Sequence, residues 1–291
     1  GANVCFLPNI AGHVGADLSA VLLATGLKEK EGANIVIDIG TNGEILLEKD
    51  GEILACSTAA GPAFEGASIT MGMRAADGAI EKVSIESEEN NRVKTIEVKT
   101  IGNVPPEGIC GSGLIDGIAC LLQMGIIDKT GRMITEQEAL EAGIVPELAE
   151  RVIVREKGLA YILDYKQTGE PVVITQQDIR EVQLAKGAIC AGMKTMMKML
   201  QIKEQELNHI YLAGAFGNYI DKKSALAIGL LPDVPEEKIQ SIGNAAGAGA
   251  CMALLSGASR KLVKSLAQEV KHVELSMNMD FQEEYLKAMN F

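Results

Sequence analysis

The stretch Asn34-Ile-Val-Ile-Asp-Ile-Gly-Thr-Asn-Gly-Glu-Ile-Leu-Leu-Glu48 decides how this chain is read. Ile35, Val36, Ile37 and Ile39 have the β-branched character of a buried strand, and Ile45 to Leu47 resume one after a tight Gly-Thr-Asn-Gly turn. Gly40 and Gly43 are expected to permit backbone angles that side chains forbid, so that amide N–H groups converge on an anion. The Thr41 hydroxyl and the Asn42 amide would add polar contacts, and Asp38 would lie beside the anion. Two negative groups that close need a cation between them, which points to Mg-bound nucleotide. An ordinary hairpin with an Asn-Gly turn would use the same residues.

Working outward, strands are expected at 34–39, 44–48 and 52–57, the last two joined through Lys49-Asp50-Gly51, whose Asp-Gly is a hairpin signal. Upstream, residues 15–26 read as an amphipathic helix closed by Gly26, with Asp17 and Ser19 in its first turns. Downstream, Gly61-Pro62 opens a helical segment running to about Ala75, and alternation over 79–101 predicts a hairpin broken by Glu88-Glu89-Asn90-Asn91. A helix over 112–124 follows, and Thr135-Glu-Gln-Glu138 is a capping box opening another. Gly111-Ser112-Gly113 could bind phosphate at a helix N-terminus or serve as a cap. The segment 145–172 reads as irregular, and 79–172 as a strand-and-helix insertion. A long helix is expected over 176–200, opened by Thr175-Gln-Gln-Asp178, then a strand over 209–213 ending in Gly214-Ala-Phe-Gly217 and a helix over 244–256. A further helix, a short strand from His272 to Leu275 and a last helix complete the chain.

The bulk properties narrow the class. A chain of 291 residues with 47% hydrophobic content can bury a large core. Lys plus Arg number 27 against 39 acidic residues, a net charge of -12, and no basic run stands out, so a nucleic-acid surface is not expected. No apolar stretch suits a membrane span and the N-terminus lacks a signal-peptide pattern, so the expected address is cytoplasmic, with no membrane partner. Six single cysteines (5, 56, 110, 120, 190, 251) and three histidines lack the spacing of a zinc or iron-sulfur site, and the cysteines read as core residues. With the insertion set aside, the order of elements is that of an α/β, actin-like (ribonuclease-H-like) half-domain. In that order the 40–43 hairpin grips phosphate and the glycine loop 214–217 passes close to an adenosine.

The strings DIGTNGEI, ACSTAAGPAFEGASITMGMRAADGAI, GICGSGLIDGI, DIREVQLAKGAI, YLAGAFGNYID and IGNAAGAGACMALLSG, long and in order, together resemble the C-terminal domain of reductive activators of corrinoid proteins. These belong to the superfamily of actin, sugar kinases and the heat-shock chaperones. The resemblance implies an ATP-binding domain, an ATPase in the full-length protein, that helps drive electrons from an iron-sulfur cluster to a Co(II) corrinoid protein, restoring Co(I) for methyl transfer. The cluster would belong to a part of the protein upstream of this chain.

Carried over by position, Gly40, Thr41, Asn42 and Gly43 would hold the β- and γ-phosphates, and Asp38 would reach Mg through water; Asp38 and Thr41 are the catalytic candidates. Gly214, Ala215, Phe216 and Gly217 resemble the adenosine loop. Lys186, with Gln183 one turn before it, matches a basic helical position near the ribose, against the alternative of a solvent-facing lysine. Gly243 to Gly249 resembles a connecting helix on which two domains shear, although close helix packing alone would also explain its glycines.

The resemblance divides the chain into a connecting segment (1–30), an actin-like domain (31–256) and a C-terminal extension (257–291). It also implies a partner half before Gly1, a fragment that alone binds ATP weakly, and a possible homodimer. Related dehydratase activators carry a cluster-binding Cys before an Ala-Ala-Gly loop; here that position is Thr58, with Cys56 two residues earlier. Two other classes use similar residues: a small-molecule kinase with Glu44 or Glu65 as its carboxylate, and a nucleotide-free interaction or dimerisation module.

Overall fold

Continuous apolar runs separated by turn residues set the frame. In a computed structural model, which describes residues 4–87 and 93–291, helix α1 (Ala16–Thr25) leads into strands β1 (Ala33–Ile39), β2 (Gly43–Lys49) and β3 (Glu52–Thr58). Then come β4 (Ala79–Ser87), β5 (Val93–Thr100), β6 (Gly108–Ile109), α2 (Gly111–Met124), α3 (Glu136–Glu141) and α4 (Pro146–Ala149). Next are β7 (Val152–Arg155), β8 (Gly158–Tyr165), β9 (Pro171–Thr175), α5 (Gln176–Met199), β10 (Leu207–Ala213), the single turn α6 (Gly214–Gly217) and α7 (Lys222–Ala227). Strand β11 (Ile239–Gly243), α8 (Ala245–Leu255), α9 (Gly257–Glu269), β12 (Lys271–His272) and α10 (Met279–Lys287) close the order. The Glu88-Glu89-Asn90-Asn91 break lies outside the described residues. Among the described residues no helix is long and apolar enough to cross a membrane.

The chain divides into two compact units. The first comprises Gly1–Ala59, Ala188–Tyr219 and Pro232–Leu286. It holds one six-stranded sheet in the order β11-β10-β1-β2-β3-β12, with β1, β2 and β3 antiparallel and β10 and β11 parallel to β1. The β2–β3 turn places Asp50 at φ 52° and Gly51 at φ 84°, the two positive angles that a tight hairpin of matching twist requires.

Both faces of β1, β2 and β3 are buried, which is why these strands read as apolar runs rather than alternations. One face presents Val36, Leu46, Ile53, Ala55 and Tyr211 to Leu18, Val21 and Leu22 of α1 and to Leu266 of α9. On the other, Gly192 of α5 admits Ile45 and Thr58 so closely that a Cβ there would lie 2.7 Å from Thr58 Cγ2. Helix α1 is buried without interruption from Leu18 to Leu23, so it is enclosed on all sides over that span, Ser19 included, rather than amphipathic. It meets α8 backbone to backbone: a Cβ on Gly249 would sit 1.9 Å from the Ala20 carbonyl oxygen.

The second unit comprises Ala60–Gly187, Ile220–Leu231 and Lys287–Phe291. It carries two three-stranded sheets, β5-β4-β6 and β7-β8-β9. The second of these corrects the irregular reading of 145–172. Its outer strand β7 alternates poorly, with Val154 83% exposed, so it lacks the periodic signature of a half-buried strand.

The expected helix from Gly61 to Ala75 is also corrected: only a 3-10 turn forms, Pro62–Glu65, ended by Gly66 at φ 79°. The chain then folds back so that a Cβ on Gly72 would sit 2.0 Å from the Gly66 carbonyl oxygen, an approach no helix contains. Helix α2 opens at Cys110, not at Ser112. The Ser112 hydroxyl instead donates to the Glu81 carbonyl at 2.8 Å, and Gly113 lets the first turn press on Ile80. The expected strand from His272 to Leu275 is two residues long, Lys271–His272. Four cysteines are buried as expected, whereas Cys5 and Cys251 are exposed.

Candidate functional site

In the first unit, β1 and β10 run parallel and pair Asp38 with Ala213, so the two glycine loops leave the carboxyl ends of neighbouring strands. Strand β11 ends beside them, pairing Gly243 with Ala213. Carboxyl ends of parallel strands are where open α/β sheets bind ligands, because loops diverge there and leave a crevice.

The glycines of the two loops serve different needs. Neither Gly40 nor Gly43 adopts positive φ, which corrects the expectation about their backbone angles. Gly43 is required by space, since a Cβ would lie 2.7 Å from both Ile189 Cγ1 and Thr58 Oγ1. The turn itself is closed by Gly40 N–H donating to the Asn42 carbonyl at 2.9 Å. Gly214 is required on both counts, with φ +81° and a Cβ that would lie 2.5 Å from Asp38 Oδ1. Backbone of the second loop therefore lies directly against the carboxylate of the first. Phe216 follows in the turn formed by Gly214 to Gly217, whose last carbonyl accepts from the Ser241 hydroxyl at 2.7 Å.

Negative charge concentrates at this strand end. Burial raises the Asp38 carboxyl above the usual carboxylate range, and the Asp17 carboxylate adds to the shift. Glu44 is raised by burial first and by Asp17 and Asp38 as well, against the hydrogen bond it accepts from the Ser57 hydroxyl at 3.2 Å. Among the described residues, no group of three His, Cys, Asp or Glu side chains is close enough to hold a metal ion. The carboxylates thus repel one another without forming a cage. That suits a cation carried mainly by water and phosphate oxygens, the habit of Mg.

Asp17 is the site residue that sequence reading passed over. It sits in the first turn of α1, its Oδ1 accepting from the Leu18 N–H at 2.8 Å, and only the packing of α1 on the sheet brings it toward Asp38. No spacing rule links two positions on different elements. Cys56, the cysteine two residues before Thr58, is fully buried in β3 and its thiol is pushed far up by burial, so it presents no thiolate.

The other two predicted residues lie in the second unit and are not solvent-facing. Gln183 and Lys186 are each 1% exposed. Gln183 Nε2 donates to the carbonyls of Thr130 at 2.9 Å and Met289 at 2.7 Å, while its Oε1 accepts from Arg180 at 2.8 Å. The Lys186 ammonium donates to the Asn290 carbonyl and lies 5.1 Å from the centre of the Phe291 ring. Glu44 and Glu65, the two carboxylates considered for a kinase, fall in different units, β2 of the first and the Pro62–Glu65 turn of the second.

This sheet order, with glycine loops on adjacent parallel strand ends, defines an α/β protein of the actin-like ATPase fold. Residues 32–291 match the family described as the C-terminal domain of RACo, the ASKHA domain, and the chain belongs to that family. It is 41% identical over 292 residues to the corrinoid activation enzyme RamQ of Eubacterium limosum, covering 99% of this chain and 47% of that protein. It is 28% identical over 302 residues to the [Co(II) methylated amine-specific corrinoid protein] reductase of Methanosarcina barkeri, covering 98% and 51%. Among solved structures, a reductive activator for corrinoid, iron-sulfur protein superposes with a TM-score of 0.85 at 38% identity, covering 98% of this chain and 44% of that one. The chain thus spans about half the length of the relatives it matches.

Proposed function

We propose that this chain is the ATP-binding part of an ATP-dependent reductive activator that returns a Co(II) corrinoid protein to Co(I) for methyl transfer. The observation that carries the proposal is the contact of Gly214 with Asp38, which sets one glycine loop against the carboxylate of the other. Gly40, Thr41, Asn42 and Gly43 would hold the β- and γ-phosphates, and Gly214, Ala215, Phe216 and Gly217 would pass the adenosine. Asp38 would hold Mg through water, and the cation would relieve the repulsion among Asp17, Asp38 and Glu44. Gln183 and Lys186 are further nucleotide contacts in this reading. Bound ATP supplies a γ-phosphate, and hydrolysis removes it. The chain's own part is to sense that difference, since a ligand shifts a conformational equilibrium only by its differential affinity for the two states.

The electrons would come from an iron-sulfur cluster in a further part of the protein, and the partner would be a corrinoid protein. Support comes from the names of the three relatives, all of which concern corrinoid activation or reduction. A homodimer belongs to the same proposal and is read by sedimentation velocity. Calorimetric titration of Mg-ATP tests the central claim, with this chain, the full-length protein and Asp38→Ala in each. Binding that tightens in the full-length protein and is lost in Asp38→Ala is the expected result. No heat from either length would refute ATP binding and favour an interaction module.

A further inference from the structure

In the second unit Gln183 and Lys186, the proposed nucleotide contacts, are both held by other groups of the chain. Lys186 is 1% exposed, so the interior must supply its amino group with partners. The partners come from the last residues of the chain. The Asn290 carbonyl accepts from Lys186 Nζ, and the Phe291 ring faces the same ammonium at 5.1 Å, within cation–π range. The Met289 carbonyl accepts from Gln183 Nε2 at 2.7 Å, and the Phe291 N–H donates to the Lys129 carbonyl at 2.8 Å.

Three consecutive residues therefore make four contacts, three of them through backbone groups. The grip depends little on side-chain identity apart from the ring. One feature fixes the side chain that the segment grips. Beneath it, Gly131 at φ +80° presses the 128–131 turn onto Gln183, where a Cβ would lie 2.5 Å from Nε2. The Gln183 amide is held on both sides.

We propose that Ala288–Phe291 is a strap that occupies the nucleotide-contacting groups of Gln183 and Lys186 and is displaced when nucleotide binds. This rests on the reading that those two side chains contact nucleotide. A strap of this kind lowers apparent affinity by the fraction of time it is closed. A site closed ten times as often as open binds about tenfold more weakly than one without the strap.

The test uses the full-length protein, a version lacking Ala288–Phe291, the milder Phe291→Ala, and Lys186→Gln in both backgrounds. Two readouts are taken: Mg-ATP affinity by calorimetry, and hydrogen exchange of the Phe291 amide with and without saturating Mg-ATP. Affinity about tenfold tighter without the strap, a smaller gain in Phe291→Ala, and faster exchange at Phe291 on adding Mg-ATP are the expected results. Affinity that is unchanged or weaker in both strap variants, while Lys186→Gln still weakens binding, overturns the strap and leaves the nucleotide reading standing. If Lys186→Gln has no effect even without the strap, the nucleotide does not use this pair, and the reading beneath the strap fails with it.

Discussion

The strand-end loops of the first unit and the Gln183–Lys186 pair of the second handle charge in opposite ways. At the loops, Asp38 and Glu44 are pushed toward protonation by burial and by neighbours of like sign, so like charges crowd one strand end. At the pair, an ammonium and an amide are already served by carbonyls of the same chain. In the proposed reading a cation relieves the first place, whereas the second gives up these contacts to make new ones, and affinity for Mg-nucleotide is set at the loops.

The largest expected effect breaks the comparison if it fails. Asp38→Asn should weaken Mg-ATP binding by about 10- to 100-fold, the usual result of removing an outer-shell partner of a metal. The same variant should raise the melting temperature at pH 7.5. Because the folded-state value is raised, the carboxyl's contribution to stability is fully present below the ordinary carboxylate pKa and is lost as pH rises through the folded value. Removing the charge restores it. A fall in melting temperature would show that Asp38 is a structural carboxylate, and the contrast between the two units would collapse.

Next, Gly214→Ala should cost about 1–3 kcal/mol in denaturant melts, because it meets both a positive φ and the Asp38 oxygen. An equal stability in the variant would mean that the loop is not seated against Asp38.

A third test sharpens the comparison inside the second unit, which is not compensated everywhere. Asp116 is 3% exposed, and among the described residues its Oδ1 has no hydrogen-bond partner. Burial raises its pKa to about 6, with the Asp221 carboxylate adding to the shift and the Ser224 hydroxyl, the Val83 N–H and Lys82 opposing it. Its stabilising contribution is full below the unfolded value near 3.8 and is lost as pH rises through about 6. Asp116→Asn should thus be more stable than the parent at pH 7.5, by on the order of 1–2 kcal/mol, and lose that advantage by pH 4. Urea melts at the two pH values read it, and an advantage that persists at pH 4 would point to packing instead. The smallest effect is Gly40→Ala, expected within about 0.5 kcal/mol in the same melts, since that glycine has ordinary φ and its nearest contact would be Asn42 O at 3.7 Å.

What could be read from the sequence follows the same division. Residues 33–58 were legible because burial on both faces turns strands into apolar runs and Asp50-Gly51 marks the turn between two of them. The capping boxes at Thr135 and Thr175 were legible because both partners lie within three residues. The sheet at 152–175 was hidden by an exposed outer strand, and the fold-back at Gly66 and Gly72 by a glycine's ability to serve a turn as well as a helix. At the site, the two glycine loops were visible as loops, but the reason for each glycine was not, because space around Gly43 comes from Ile189 on a distant helix. Asp17 and the burial of Lys186 were invisible for the same cause. Each depends on a partner brought in by tertiary packing, from α1 in one case and from the end of the chain in the other.

The crossing of α1 and α8 at Ala20 and Gly249 has a mechanical consequence. With no side chain between them, the two backbones act as a fulcrum near the middle of α1. Asp17 lies three residues from that point, about 4.5 Å along the axis at the helical rise, so a tilt of about 10° displaces it by under 1 Å. A tilt of α1 about this crossing therefore moves Asp17 little, and the charge it adds beside Asp38 stays in place.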